Sequence, residues 1–230
     1  MYLSALTMKT KAIEEYSIHD YDLVIFDCDG TLVDSEHLSN TLLAEMLREL
    51  GMECNDEEII EMFAGTSFEK ITAYLEETLA SGPPFDFEKE FRKRCKVIFE
   101  NELLPIDGVK QFIESLDCKK CVASNGPLEK MQITLLAAGL KSYFPDGCIF
   151  SAYDIQKWKP EPELFLHTSA TMDIPPNKCL VIEDTYHGAM GAINANIDVL
   201  VYSPKNTDNK LLQKGIPTFA SFRQLANYIL

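Results

Sequence analysis

The chain is short of positive charge: 21 Lys and Arg stand against 36 Asp and Glu, a formal net charge of −15. A nucleic-acid binder relies on Lys and Arg to neutralise phosphates, so this balance argues against a polyanionic partner. A small phosphorylated substrate is still open, because one local cation and a metal suffice for it. Long hydrophobic runs are also missing. No stretch approaches a membrane span, and the first twenty residues lack the apolar core and cleavage site of a secretory signal. The seven cysteines are odd in number and follow no repeating spacing. That fits a reducing cytoplasm better than a disulfide framework. No internal repeat or low-complexity segment interrupts the 230 residues, enough for one large domain or a core with a smaller insertion.

What is present is organised around Leu23-Val24-Ile25-Phe26-Asp27-Cys28-Asp29-Gly30. Four apolar residues, two of them β-branched, read as a strand buried on both faces. Two carboxylates follow one residue apart, then a glycine suited to a tight turn. Like charges side by side are unfavourable unless a cation or proton sits between them. Hard oxygen ligands at a strand end suit Mg²⁺. Read alone, the same residues also fit a solvated strand-to-loop junction.

From Ser35 to Leu103 the pattern is helical throughout. Leu38, Leu42, Leu43, Met46, Leu47 and Leu50 share one face, and Gly51 stands where a helix would stop. Ile59 to Phe63 suggests a short helix ending at Gly65. Phe68, Ile71, Leu75 and Leu79 form a third stripe, opened by Ser67 as N-cap. Phe87, Phe91, Cys95 and Phe99 form a fourth. After Pro105, strands at Lys120–Ser124, Cys148–Ser151, Leu180–Ile182 and, last, Val199–Tyr202 alternate with helices, which predicts a parallel α/β sheet covered on both faces. The expected organisation is a loosely docked N-terminal extension over 1–20, a Rossmann-like core over 21–34 and 105–230, and a helical cap over 35–104.

In such a sheet, ligands bind beyond the carboxyl ends of the strands. Asp27 and Asp29, Ser124, Lys159, and Glu183-Asp184 all fall at or after those ends. The set meets the needs of phosphoryl transfer to a carboxylate, where cations must offset the phosphate charge. Asp27 is the expected nucleophile and Asp29 the acid and base. Asp27 and Asp184, with the Asp29 carbonyl, would hold Mg²⁺, while Ser124 and Lys159 would bind phosphate oxygens.

DCDGTLVDSE, VASNGP, WKPEP and VIEDTYHG resemble the four ordered motifs of haloacid dehalogenase superfamily phosphatases. Within that superfamily, SNGPLEKMQ and YFPDGCIFSAYDIQKWKPEPELF are similar to bacterial 6-phosphogluconate phosphatase-type sugar phosphatases. The resemblance implies a Mg²⁺-dependent phosphatase for a small sugar or sugar-acid phosphate, cytoplasmic and monomeric, with no nucleic-acid or membrane partner. It implies catalytic Asp27 and Asp29, phosphate ligands Ser124, Asn125 and Lys159, and metal ligands Asp27, Asp29 and Asp184. Glu183 would touch the metal directly or through water. β-Phosphoglucomutases carry a cap arginine after a Gly-x-Ser segment. Here Gly65-Thr66-Ser67 is followed by Phe68, and the cap histidine is replaced by Ser39, so Phe68 is a candidate specificity residue and hydrolysis is favoured over a mutase reaction. A non-catalytic metabolite sensor is the rival of another class, but no catalytic group is missing.

Other signals carry less. Cys118 and Cys121 form a CxxC before a strand, whereas redox pairs sit at helix N-termini. Cys28 is expected to pack into the core. Trp158 either shapes the wall beside Lys159 or packs under it. His167 is expected to be structural. His187 either approaches the site or caps a loop.

Overall fold

A computed structural model describes residues 12–52, 55, 68–79, 82–83, 85–205 and 208–230. Six parallel strands form one sheet in the order β3-β2-β1-β4-β5-β6. They are β1 (Leu23–Phe26), β2 (Lys119–Ser124), β3 (Ile149–Ser151), β4 (Cys179–Glu183), β5 (Asp198–Tyr202) and β6 (Thr218–Phe219). β1 is fully buried between β2 and β4, with Phe26 paired to Val122 on one side and Ile182 on the other. Its side chains alternate between two cores. Val24 and Phe26 join one with Phe112, Phe144 and Phe222, while Leu23 and Ile25 join the other with Phe165 and Val181. The unbroken apolar run of β1 therefore follows from helices covering both faces.

Between β1 and β2 the chain passes through α1 (Ser35–Glu49), α2 (Phe68–Thr78) and α3 (Phe87–Glu102), and then α4 (Val109–Ser115). α1 packs on α3, and α2 touches α3. Ile71, Leu75, Phe87, Cys95 and Phe99 are buried, so two of the apolar stripes face inward. Gly51, with φ 82°, stands two residues beyond α1, and the Asp86 carboxylate caps α3 by accepting from the Lys89 N–H at 3.0 Å. The helix expected at Ile59–Phe63 and the Gly65-Thr66-Ser67 turn lie outside the described residues.

The two chain crossings into this helical insertion run side by side. The Asp34 N–H donates to the Leu104 carbonyl at 3.2 Å, and the Ile106 N–H donates to the Leu32 carbonyl at 3.0 Å. The remaining helices are α5 (Leu128–Ala137), α6 (Ala152–Ile155), α7 (Glu163–Thr171), α8 (Tyr186–Asn194), α9 (Asn209–Lys214) and α10 (Phe222–Ile229).

Two expectations need correction. Val199–Tyr202 is not the last strand, because Thr218–Phe219 adds a parallel edge strand beside β5. At two residues it is too short to leave a periodic signal. The N-terminal segment, where described, is docked rather than loose. Tyr16, Ile18 and Tyr21 are buried, and the Tyr21 hydroxyl donates to the Asp198 carboxylate at 2.6 Å. No helix among the described residues is long and apolar enough to cross a membrane.

Candidate active site

From β1 the chain builds outward to β2 and β3, then returns to place β4, β5 and β6 on the other side. Such a reversal opens a crevice at the carboxyl ends of the central strands. Asp27 follows β1 there, its N–H donating to the Ile182 carbonyl of β4 at 2.9 Å. Its carboxylate accepts from the Lys159 ammonium at 2.5 Å. Lys159 also donates to Glu183 at 2.7 Å and lies 5.0 Å from the Phe165 ring centroid. Lys159 is 7% exposed and Glu183 1%, so water does little to screen this triad.

Asn125 fixes the lysine from behind. Its side-chain oxygen accepts from the Lys159 N–H at 2.9 Å, and its amide faces the Lys159 carbonyl at 3.4 Å. The expected phosphate ligand thus spends its side chain on positioning Lys159. Ser124, at the end of β2, is 3% exposed, and its hydroxyl accepts from the Gly126 N–H at 3.1 Å. The Ser151 hydroxyl of β3 holds the Gly126 carbonyl at 2.7 Å, steadying this turn.

Glu183, expected to touch the metal directly or through water, is engaged at both of its oxygens. One carboxylate oxygen takes the Lys159 bond. The other accepts from the Asp184 N–H at 2.9 Å, the Thr185 N–H at 2.8 Å and the Thr185 hydroxyl at 2.9 Å. With both oxygens occupied, the side chain braces Lys159 and the start of α8. A Cβ on Gly188 would lie 1.7 Å from that carboxylate, so only glycine lets α8 pack there.

Asp184 is turned the other way, accepting from the Thr31 hydroxyl at 2.9 Å. Gly30, at φ 85°, passes so close that an added Cβ would sit 2.2 Å from the Asp184 carboxylate. Gly30→Ala is therefore expected to destabilise the fold by about 1–3 kcal/mol through backbone strain and displacement of Asp184. Thermal denaturation checks this; an unchanged Tm would show that the turn relaxes freely.

Asp29 is held at the crevice edge. Its carboxylate accepts from the Ser35 hydroxyl at 2.5 Å and from the Lys130 ammonium on α5 at 2.8 Å. A Cβ on Gly126 would lie 3.5 Å from the Ser124 hydroxyl and 3.6 Å from the Asp29 carboxylate, so the two residues share one rim. Lys130, Ser35 and Thr31 were not singled out from the sequence. Ser35 and Thr31 flank the aspartates, but Lys130 sits on an ordinary amphipathic helix and only the turn before it hints at the site.

The site carries more negative than positive charge. Burial pushes the Asp27 carboxyl up to about 7, with Glu183 and Asp29 adding to the rise and Lys159 opposing it. Burial raises Asp184 as well, reinforced by Glu183 and Asp27 and opposed by Thr31. Burial alone would push the Lys159 ammonium down, but Asp27 and Glu183 more than offset this and raise it. One ammonium shared by two carboxylates, with a third beside them, leaves room for a cation. Among the described residues, no three His, Cys, Asp or Glu side chains stand close enough to ligate a metal by themselves. Two carboxylates completed by a backbone carbonyl and water form the donor set that remains, and it suits Mg²⁺, which keeps several waters.

The lesser candidates fall away from this centre. Phe68 opens α2, but its side chain is outside the description. Cys28 is fully buried with its sulfur 3.7 Å from the Thr134 hydroxyl, and Cys121 is buried with its thiol pushed up by burial. Trp158 is 39% exposed and edge-on to Tyr153, so it packs at the surface rather than beneath Lys159. His167 sits edge-on to Phe150, and His187 is exposed beside Tyr186.

Comparison with known proteins identifies the family of this fold. The family model described as haloacid dehalogenase-like hydrolase matches residues 24–202. The chain is 32% identical to a 6-phosphogluconate phosphatase from Escherichia coli K12 over 207 residues, covering 89% of this chain and 92% of the relative. A conserved haloacid dehalogenase-like protein of unknown function from Agrobacterium tumefaciens superposes with a TM-score of 0.77 at 30% identity, over 90% of this chain and 96% of that one. A HAD family hydrolase from Deinococcus radiodurans, solved with bound phosphate and sodium, superposes with a TM-score of 0.77 at 25% identity, over 90% and 93%. The chain belongs to the haloacid dehalogenase-like hydrolase family and is an enzyme of its phosphoric monoester hydrolase kind.

Proposed function

We propose that the protein hydrolyses a small sugar or sugar-acid phosphate with Mg²⁺, through an aspartyl-phosphate. The observation that carries this reading is the contrast between its two adjacent aspartates. Asp27 is buried against Lys159, whereas Asp29 stands at the rim between Ser35 and Lys130. That division suits a nucleophile fixed in place and an acid and base that reaches the leaving group.

Asp27 attacks phosphorus and the ester bond to the leaving oxygen breaks. Asp29 gives that oxygen its proton, then takes one from the water that opens the aspartyl-phosphate. Lys159, held by Asn125 and Glu183, keeps the nucleophile aligned and offsets charge on the phosphate oxygens. The Ser124 hydroxyl donates to one of those oxygens. Asp27, Asp184 and the Asp29 carbonyl are the residues that would hold Mg²⁺. When bound, the cation neutralises charge on the carboxylates and phosphate. The phosphate and sodium bound by the Deinococcus radiodurans hydrolase support an anion and a cation site in this fold. The 6-phosphogluconate phosphatase relative supports the substrate class.

The test is a panel of phosphorylated metabolites assayed with Mg²⁺, with Ca²⁺ and with chelator. Turnover is expected only with Mg²⁺, because Ca²⁺ prefers more ligands at longer distances. Equal rates in all three conditions would refute the metal assignment, and no hydrolysis of any phosphoester would refute the function.

Stability provides a second check. The folded-state value of Asp27, about 7, lies above the ordinary 3.8. Between those values the native state holds more protons than the unfolded chain, so metal-free stability falls as pH rises through that window. Mg²⁺ needs the ionised carboxylate, so its gain in Tm is expected to be larger at about pH 8 than at about pH 5. Asp27→Asn should reduce this pH dependence. A Mg²⁺ gain that is the same at both values would count against Asp27 as a ligand.

A further inference from the structure

Both oxygens of the Asp29 carboxylate have fixed partners, and neither partner sits on the strand that carries the aspartate. Oδ1 accepts from the Ser35 hydroxyl at 2.5 Å, and Oδ2 accepts from the Lys130 ammonium at 2.8 Å. Ser35 is the first residue of α1, and Lys130 belongs to the first turn of α5. Asp29 itself lies in the turn after β1, with its side chain 23% exposed. A carboxyl on a turn, within reach of water, has several rotamers open to it. Donors on two separate helices hold it to one of them.

The orientation matters because of where Oδ2 lies. A Cβ on Gly126 would be 3.6 Å from Asp29 Oδ2 and 3.5 Å from the Ser124 hydroxyl. The oxygen that Lys130 holds is thus the one nearest the Ser124 turn, where a phosphate oxygen is expected to bind. The leaving oxygen is bonded to the same phosphorus, so an acid that serves it has to face that side. Lys130 is itself held in place. Helix α3 packs on α5, and the ring centroid of the buried Phe99 on α3 lies 6.0 Å from the ammonium.

We propose that Lys130 is a positioning residue for Asp29, its ammonium holding the carboxyl toward the leaving oxygen. The inference rests on the phosphatase reading above and adds a residue that none of the four motifs contains. In the step it serves, the P–O bond breaks with its electron pair going to the leaving oxygen, which takes the proton from Asp29. Attack by Asp27 does not draw on Lys130, because Asp27 is aligned by Lys159. Loss of Lys130 therefore weighs most on esters whose leaving group needs a proton.

The experiment is a rapid-quench measurement of leaving-group release in the first turnover, using the full chain with Mg²⁺. It compares the alkyl phosphate cleaved fastest in the metabolite panel with p-nitrophenyl phosphate. An alkoxide needs a proton to leave, whereas nitrophenolate is stable without one. Lys130→Met is expected to slow release from the alkyl ester at least about tenfold more than release from p-nitrophenyl phosphate. KM for the alkyl ester should stay within about threefold of wild type. Lys130→Arg, which returns a cation to Asp29, should recover at least about threefold of the alkyl rate lost in Lys130→Met. Lys130→Gln gives the same comparison between esters if the methionine variant does not fold. Equal slowing on both esters, a loss confined to KM, or wild-type rates in Lys130→Met and Lys130→Gln would overturn the proposal and leave the phosphatase reading intact. A wild type that cleaves no alkyl phosphate would refute that reading, and the inference with it.

Discussion

Asp27→Asn is expected to lower turnover by at least about a thousandfold while leaving the protein folded. The amide nearly matches the carboxylate in shape but is no nucleophile. The substitution removes a buried charge from a site already rich in carboxylates, where burial holds the Asp27 carboxyl high. The Tm of the metal-free variant should therefore equal or exceed that of the wild type. Steady-state assays of purified protein give the first readout. Mass spectrometry of acid-quenched reactions gives the second, with a phosphoryl adduct in the wild type alone. Substantial residual phosphatase activity in a clean preparation would eliminate the aspartyl-phosphate route.

Lys159→Met should affect both activity and stability. The ammonium is the shared partner of Asp27 and Glu183 at 2.5 and 2.7 Å. Without it, two buried carboxylates face each other with no cation between them. Removing one partner of a buried ion pair destabilises by about 3–5 kcal/mol. Turnover should fall by at least about a hundredfold, since the phosphate oxygens lose their fixed cation. Denaturant titration measures the first loss and steady-state kinetics the second. Lys159 opposes the rise of the Asp27 carboxyl to about 7, so without it that carboxyl protonates at a higher pH, and the stability loss should shrink as pH falls toward about 7. A variant as stable and active as the wild type would mean that Lys159 is structural ornament at the strand ends.

Much of this was legible in the sequence because the physics is local. Leu23–Phe26 carries enough apolar residues to specify a doubly covered strand, and the stripes through Ile71 and Leu75 and through Phe87, Cys95 and Phe99 specify which faces are buried. Asp27, Asp29, Ser124 and Asp184 fall at or just past strand ends, Lys159 follows β3 by way of α6, and a parallel sheet gathers such ends along one edge. What the sequence did not disclose depends on side-chain direction. Glu183 and Asp184 are adjacent carboxylates with opposite fates, one braced by Lys159 and Thr185, the other turned to Thr31. The spacing of Thr185 and Gly188 carried a clue, since the Thr185 hydroxyl caps α8 by accepting from the Gly188 N–H at 3.0 Å. Lys130 lies within the run SNGPLEKMQ that carries the family resemblance, but nothing in its spacing assigned it a role. It is one more charged residue on a helix until the fold brings it 2.8 Å from Asp29.

The paired crossings at Asp34–Leu104 and Leu32–Ile106 affect how this architecture can be edited. The two ends of the insertion are already hydrogen-bonded neighbours, so the core meets everything from α1 to α3 as it would meet a hairpin turn. Closing a loop whose ends are held together adds little entropy with length, and the dependence is only logarithmic. Segments of very different size can therefore be exchanged at this junction without re-engineering the sheet. The strand ends beside Asp27, Ser124 and Asp184 stay in place while the helices that the insertion contributes are replaced. The junction thus lets the insertion change independently of the sheet.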